Sequence, residues 1–132
     1  MRIIWKIGAS LPAVVFILVG LGWLLAPGLV SEQMRMPMLE GDGRSTQIGD
    51  LAAFFLTMGG AIWIALRTNR SVWLYPPIML LLFAATGRVI AWLAHGAGLP
   101  LDMILVEFVV AGALFMLARK MGVDEAKSRV AC

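Results

Sequence analysis

The sequence predicts an all-α integral membrane protein: one four-helix bundle, running up-down-up-down, with both termini in the cytoplasm. Three observations lead there: a composition short of polar residues, four long apolar stretches, and basic residues gathered on one side of them. Of 132 residues, 61% are hydrophobic and 14% charged. A soluble domain carries about 25% charged residues because it needs a polar skin. Mean hydropathy is +0.89. The whole chain, 1–132, reads as a single domain without internal repeats.

The spans follow in order. Between Lys6 and Glu32 no residue is charged, enough for the roughly 20 apolar residues a transmembrane helix needs, and the first span is set at about 7–27. Its basic start and apolar stretch fit a signal peptide. The run is longer than the typical h-region of about 7–15 residues, which predicts a retained helix. The second span, about 49–67, ends at Arg67, and Ser45 or Thr46 is expected to cap an early start to it. The third, about 72–95, is apolar except for Arg88; Pro76-Pro77 either starts or kinks it. The fourth, about 99–119, is apolar except for Asp102 and Glu107, and 120–132 is expected to form a cytoplasmic tail. Gly41-Asp42-Gly43 reads as a turn in the long 27–48 loop. The short connections at 67–71 and 95–98 make successive helices antiparallel neighbours. The alternation that a transmembrane barrel needs is absent.

Orientation comes from the cations. Arg2, Lys6, Arg67, Arg70, Arg119, Lys120, Lys127 and Arg129 fall on one side, and only Arg35 and Arg44 on the other. The positive-inside rule puts the first set in the cytoplasm and the 27–48 loop outside. The net charge of +3 is then a topology signal, and no nucleic-acid partner is expected. The expected surroundings are a lipid bilayer, in a bacterial inner membrane, together with a larger membrane complex or further copies of the chain. Cys132, the single cysteine, offers no internal disulfide.

Arg88 and Glu107 are the candidate polar centre. Each lies seven residues inside its helix from the outer boundary (His95 and Pro100), so both sit roughly 10 Å deep. A lone charge near mid-bilayer costs about 2.5–3.5 kcal/mol on insertion scales, so intramembrane ions find partners. Trp92 and His95 share the Arg88 stripe, while Gln47, Asp50 and Asp102 stand near the same end and are candidates to extend the network. Ala84, Gly87, Ala91 and Ala94 on the third helix and Ala111 on the fourth form small-residue surface suited to close packing, and Gly59-Gly60 in the middle of the second helix offers a further close-packing point. Two readings follow: a buried ion pair that fixes helix register, or a ligand- or proton-handling site that opens outward. In the second, the forked guanidinium of Arg88 would hold a carboxylate, phosphate, quinone or lipid headgroup.

Other features are weaker. Met34, Met36 and Met38 would share one face of an extended segment, where thioethers can bind copper(I) or simply lie on a membrane interface. His95 is the only histidine, and more often such a residue caps a helix end than ligates haem or a chlorophyll. Several of Trp5, Trp23, Trp63, Trp73 and Trp92 fall near predicted interfaces. No paired metal motif, nucleophile triad or phosphate-cradling glycine loop is visible. The expectation is therefore a non-enzymatic protein, with no catalytic residue, metal or cofactor assigned.

Gly20-Leu21-Gly22-Trp23-Leu24-Leu25-Ala26-Pro27, the turn Asp42-Gly43-Arg44-Ser45, Gly87-Arg88 and Glu107 together resemble a family of small bacterial four-helix inner-membrane proteins, a domain family to which no activity is attached. The resemblance spans about residues 10–120 and implies a bacterial inner-membrane bundle. The stretch Gln47 to Asp50 departs from the family, where small uncharged residues are commoner, so no shared role carries over there. Small multidrug transporters are similar in size alone: they centre on an acid in the first helix, and the first helix here has none. The expected function is an accessory or assembly subunit of a larger inner-membrane complex. The alternative is a homo-oligomeric proton-coupled carrier or lipophilic-ligand binder centred on Arg88 and Glu107.

Overall fold

The computed structural model describes residues 2–130; Met1, Ala131 and Cys132 lie outside it, as do the side chains of Arg2, Ile3, Trp5 and Arg129. What the sequence suggests for Cys132, and for the side chains of Arg2, Trp5 and Arg129, falls outside the described residues. The described chain is helical: α1 (Arg2–Leu25), α2 (Pro27–Gln33), α3 (Gly41–Thr68), a 3-10 turn (Ser71–Leu74), α4 (Tyr75–His95) and α5 (Leu101–Val130). Four of these segments are long and apolar enough to cross a membrane: Lys6–Leu25, Gly41–Thr68, Ser71–His95 and Leu101–Ser128.

The long helices run alternately up and down. One end of the molecule, the terminal end, gathers the start of α1, the α3–α4 connection and the end of α5. The other, the loop end, holds residues 26–47 and 96–100. Asn69 closes α3 in the left-handed conformation (φ 53°), and its Oδ1 accepts a hydrogen bond from Lys6 Nζ at 2.6 Å, tying α1 to α3. Gly96 (φ 66°) closes α4, a position where a residue without Cβ costs least.

Three boundaries differ from the sequence expectation. The 27–48 loop is largely helical: Pro27 occupies the first turn of α2, where its missing N–H is harmless, and α3 begins at Gly41. Gly41 keeps a positive φ of 54°, so the turn signal marks a helix entry instead of a free turn. Neither Ser45 nor Thr46 caps α3; its N-cap is Glu40, and Thr46 Oγ1 donates back to the Asp42 carbonyl. The expected tail continues α5 as far as Val130. At 1.5 Å per residue α5 is about 45 Å long, beyond the roughly 30 Å of a hydrocarbon core. Its extension packs on the 3-10 turn, where Glu125 Oε1 accepts the Ser71 N–H. Pro76-Pro77 starts α4 instead of kinking it.

Packing is uneven. The closest approach joins α1 to α3: a Cβ on Gly20 would lie 2.7 Å from Leu56, and one on Gly59 would lie 2.6 Å from Ile17 Cγ1 and 2.8 Å from the Ala13 carbonyl oxygen. Phe16 and Phe55 pack beside this contact, with ring centroids 6.1 Å apart. The apolar core lies mainly in the terminal half, around Ile62, Ala65, Leu74, Ile78, Leu81, Leu114 and Leu117. In α4 the buried stripe is Pro77, Ile78, Leu81 and Ala85; from Thr86 to His95 no residue is fully buried.

Candidate functional site

Arg88 follows Ala85 by one turn on the core-facing stripe of α4. On α5, Glu107 takes a place in the stripe Ile104, Ala111, Leu114 and Ala118, all buried. Two stripes that would otherwise be apolar therefore each present one charge to the α4–α5 seam. Arg88 Nε donates to Glu107 Oε1 at 3.0 Å, with the side chains 32% and 12% exposed. The bond is single. Glu107 Oε2 is buried without a hydrogen-bond partner, and the terminal guanidinium nitrogens of Arg88 have no acceptor among the described residues. The pair thus leaves two donor groups on its exposed side and one orphan acceptor on its buried side. The exposed donors retain the fork that suits carboxylate, phosphate or carbonyl oxygens.

The other polar candidates do not join this pair. Gln47 is buried, yet it staples the loop: Oε1 accepts the Leu39 N–H at 3.0 Å, and Nε2 donates to the Pro37 carbonyl at 3.2 Å. Asp102 accepts from Arg35 Nη2 at 2.6 Å, at an exposed position. Five residues separate it from Glu107, about 140° around a helix of 3.6 residues per turn, so it points elsewhere. Asp50 and His95 are exposed, and neither has an ion-pair partner among the described residues. Trp92 is 46% exposed, one turn beyond Arg88 on the open side of α4.

The small-residue stripe also behaves differently from its expectation. Ala84 and Ala91 are half-buried, Gly87 and Ala94 exposed, and a Cβ on Gly87 would meet nothing within 4 Å. Close helix approach happens on the α1–α3 pair instead, at Gly20 and at Gly59, the first residue of the Gly59-Gly60 packing point that the sequence marks, while a Cβ on Gly60 would meet nothing within 4 Å. Ala111 is buried on α5. The reason is angular: α4 turns the Ile78–Leu81–Ala85 line inward, and Gly87 lies about 200° around the helix from Ala85.

Met34, Met36 and Met38 are half-buried and alternate with exposed Arg35, Pro37 and Leu39, so the three thioethers share the inward side of the loop. No group of three or more His, Cys, Asp or Glu that could hold a metal forms among the described residues.

Sequence reasoning missed one polar group. Trp23 is fully buried, and its Nε1 has no hydrogen-bond partner. Placed at the outer end of an apolar helix, it reads as a member of an interfacial aromatic belt. Gly20, one turn before it, is the signal that α1 meets α3 closely there.

These features define a helical protein with four helices long and apolar enough to span a membrane, with an ion pair in the α4–α5 seam and a second, exposed one that helps fasten the loop over the same end. Comparison with protein-family models, curated proteins and solved structures finds no match to the chain.

Proposed function

We propose that the protein is a non-enzymatic accessory or assembly subunit of a larger bacterial inner-membrane complex, with both termini cytoplasmic. The basic residues of the terminal end support that orientation. One observation carries the reading: the loop half of α4 is bare. Beyond Ala85 no α4 residue is fully buried, Gly87 has open space above it, and Arg88 leaves its outer donors exposed inside the span. A guanidinium turned toward lipid is costly. A neighbouring helix that brings an acceptor oxygen to Arg88, and packs on the flat at Gly87, removes that cost.

Gentle extraction from native membranes, followed by native mass measurement, tests it. A stoichiometric larger partner is the expected result, and a lone monomer or homodimer overturns the reading. Gly87→Leu should keep the fold, since its side chain enters empty space, and should release the partner.

A second reading is favoured by the orphan Oε2 of Glu107. A carboxyl oxygen buried without a donor suits a proton-coupled carrier, or a binder of quinone or lipid headgroups, built on this pair. Glu107→Gln would then stay folded and lose pH-dependent flux. Unchanged flux would remove this reading.

A further inference from the structure

Three thioethers fall within one short stretch of the loop, at Met34, Met36 and Met38, and the structure bears on what they do. Methionines that lie on a membrane interface face outward. These three face inward: each is half-buried, while Arg35, Pro37 and Leu39 are exposed. Nor do they fill the apolar core. Among the described residues, none of the three belongs to the core cluster or to the side chains packed against it.

The backbone holds this arrangement without using the thioethers. At the end of α2 the Arg35 N–H donates to the Glu32 carbonyl at 3.0 Å, and the Met36 N–H to the Ser31 carbonyl at 2.9 Å. These are the two bonds of a Schellman ending. Arg35 takes the left-handed conformation there (φ 55°), a place where glycine is the default, and so turns the chain between Met34 and Met36. Its Nη2 is held by Asp102 at 2.6 Å. Farther along, the Gln47 side chain bonds both the Pro37 carbonyl and the Leu39 N–H. Each of the three outward residues therefore carries an anchor, Arg35 through its side chain and the other two through their backbone. The sulfur-bearing residues between them are left free on the inward side.

The donor set selects its ligand. Residues two apart on an extended segment are about 6.6 Å apart. A metal bound at about 2.3 Å from each of three sulfurs needs those sulfurs about 4 Å apart, within reach of unbranched side chains with three rotatable bonds. Thioethers are soft and uncharged. They suit copper(I), whereas magnesium, calcium and manganese take oxygen ligands, and zinc takes thiolate, imidazole or carboxylate. The surrounding charge also favours a cation. Glu32, Glu40 and Asp42 are exposed and have no ion-pair partner among the described residues. Of the two nearby cations, Arg35 is neutralised by Asp102, and Arg44 donates to the Leu39 carbonyl.

We propose that Met34, Met36 and Met38 form a thioether site for a soft monovalent cation, copper(I). The site is separate from the Arg88–Glu107 pair and stands whether or not a larger complex exists.

Silver(I), which is soft, monovalent and redox-inert, is the first probe, followed by copper(I) in competition with a chromophoric chelator. Full-length protein in detergent, with Cys132 alkylated so that its thiol does not compete, should retain one silver(I) in native mass measurement. X-ray absorption of the copper(I) form should show sulfur neighbours at about 2.3 Å. Leucine is close to methionine in volume and is well tolerated in its place, so it separates ligation from packing. Met34→Leu, Met36→Leu and Met38→Leu should each weaken silver(I) binding at least about tenfold. The triple change should abolish binding at an unchanged melting temperature. Met79→Leu and Met116→Leu, at exposed positions on the long helices, should leave the affinity as it is. No retained silver(I), binding that survives the triple change, or an equal loss in the Met79 and Met116 variants overturns the proposal. Nitrogen or oxygen neighbours in place of sulfur overturn it as well.

Discussion

The α1–α3 and α4–α5 pairs solve the same problem by different means. α1 and α3 come together through Gly20 and Gly59, positions where a single added carbon would strike a neighbour at 2.6–2.7 Å. In α4 and α5, a charge on each helix meets its opposite through one hydrogen bond of 3.0 Å, and the half of α4 beyond Ala85 stays open. In lipid the hydrophobic effect does not distinguish a neighbouring helix from an acyl chain, so association rests on close packing and on polar contacts. The first pair uses the former and completes itself. The second uses the latter and leaves donors over, which makes it the pair suited to meeting something else.

The largest effect expected from breaking this contrast is at Gly59. Gly59→Leu drives a side chain into Ile17 and the Ala13 carbonyl, where backbone must move. It should cost about 3 kcal/mol or more, read as reversible unfolding in detergent micelles. Gly87→Leu, the same substitution on the open pair, should change stability by less than about 0.5 kcal/mol. Equal losses at the two glycines would erase the distinction between the pairs.

Next in size is the ion pair. Arg88→Leu or Glu107→Leu alone leaves an uncompensated charge and should cost about 2 kcal/mol, below the usual figure for a fully buried pair because Arg88 is partly exposed. The double replacement should recover most of that loss. Additive single effects in a double-mutant cycle would show that the two side chains do not act together.

Smaller effects belong to the loop end. Gln47→Ala strands the Leu39 N–H and the Pro37 carbonyl and should cost about 1–2 kcal/mol. Arg35→Ala removes an exposed ion pair and should cost less than about 1 kcal/mol. Proteolysis within residues 34–40 should accelerate in the first variant far more than in the second. The reverse order would mean that Asp102, and not Gln47, holds the loop.

The spans, the short connections and the depth match of Arg88 with Glu107 could be read in advance, because each depends on composition or on spacing along one helix. Gln47 and Asp102 could not. Both stand near the same end as the pair in sequence terms, but their partners, Leu39, Pro37 and Arg35, lie in the loop, where no periodicity sets direction. Trp23 shows the same limit: its place on α1 suits an interface, and only the folded structure encloses it. The helical run from Pro27 to Gln33 was hidden by glycine, proline and charge, which signal loops as readily as helix starts.

By itself the sequence determined that four stretches are helical, and long and apolar enough to span a bilayer, since length and the scarcity of charge are properties of the chain alone. It also determined which two charges lie at one depth, because rise per residue is constant. The tertiary structure decided which small residues let helices touch and which face of α4 is covered. Glycine at position 59 and glycine at position 87 are the same residue to the chain. They differ only in that another helix passes over the first.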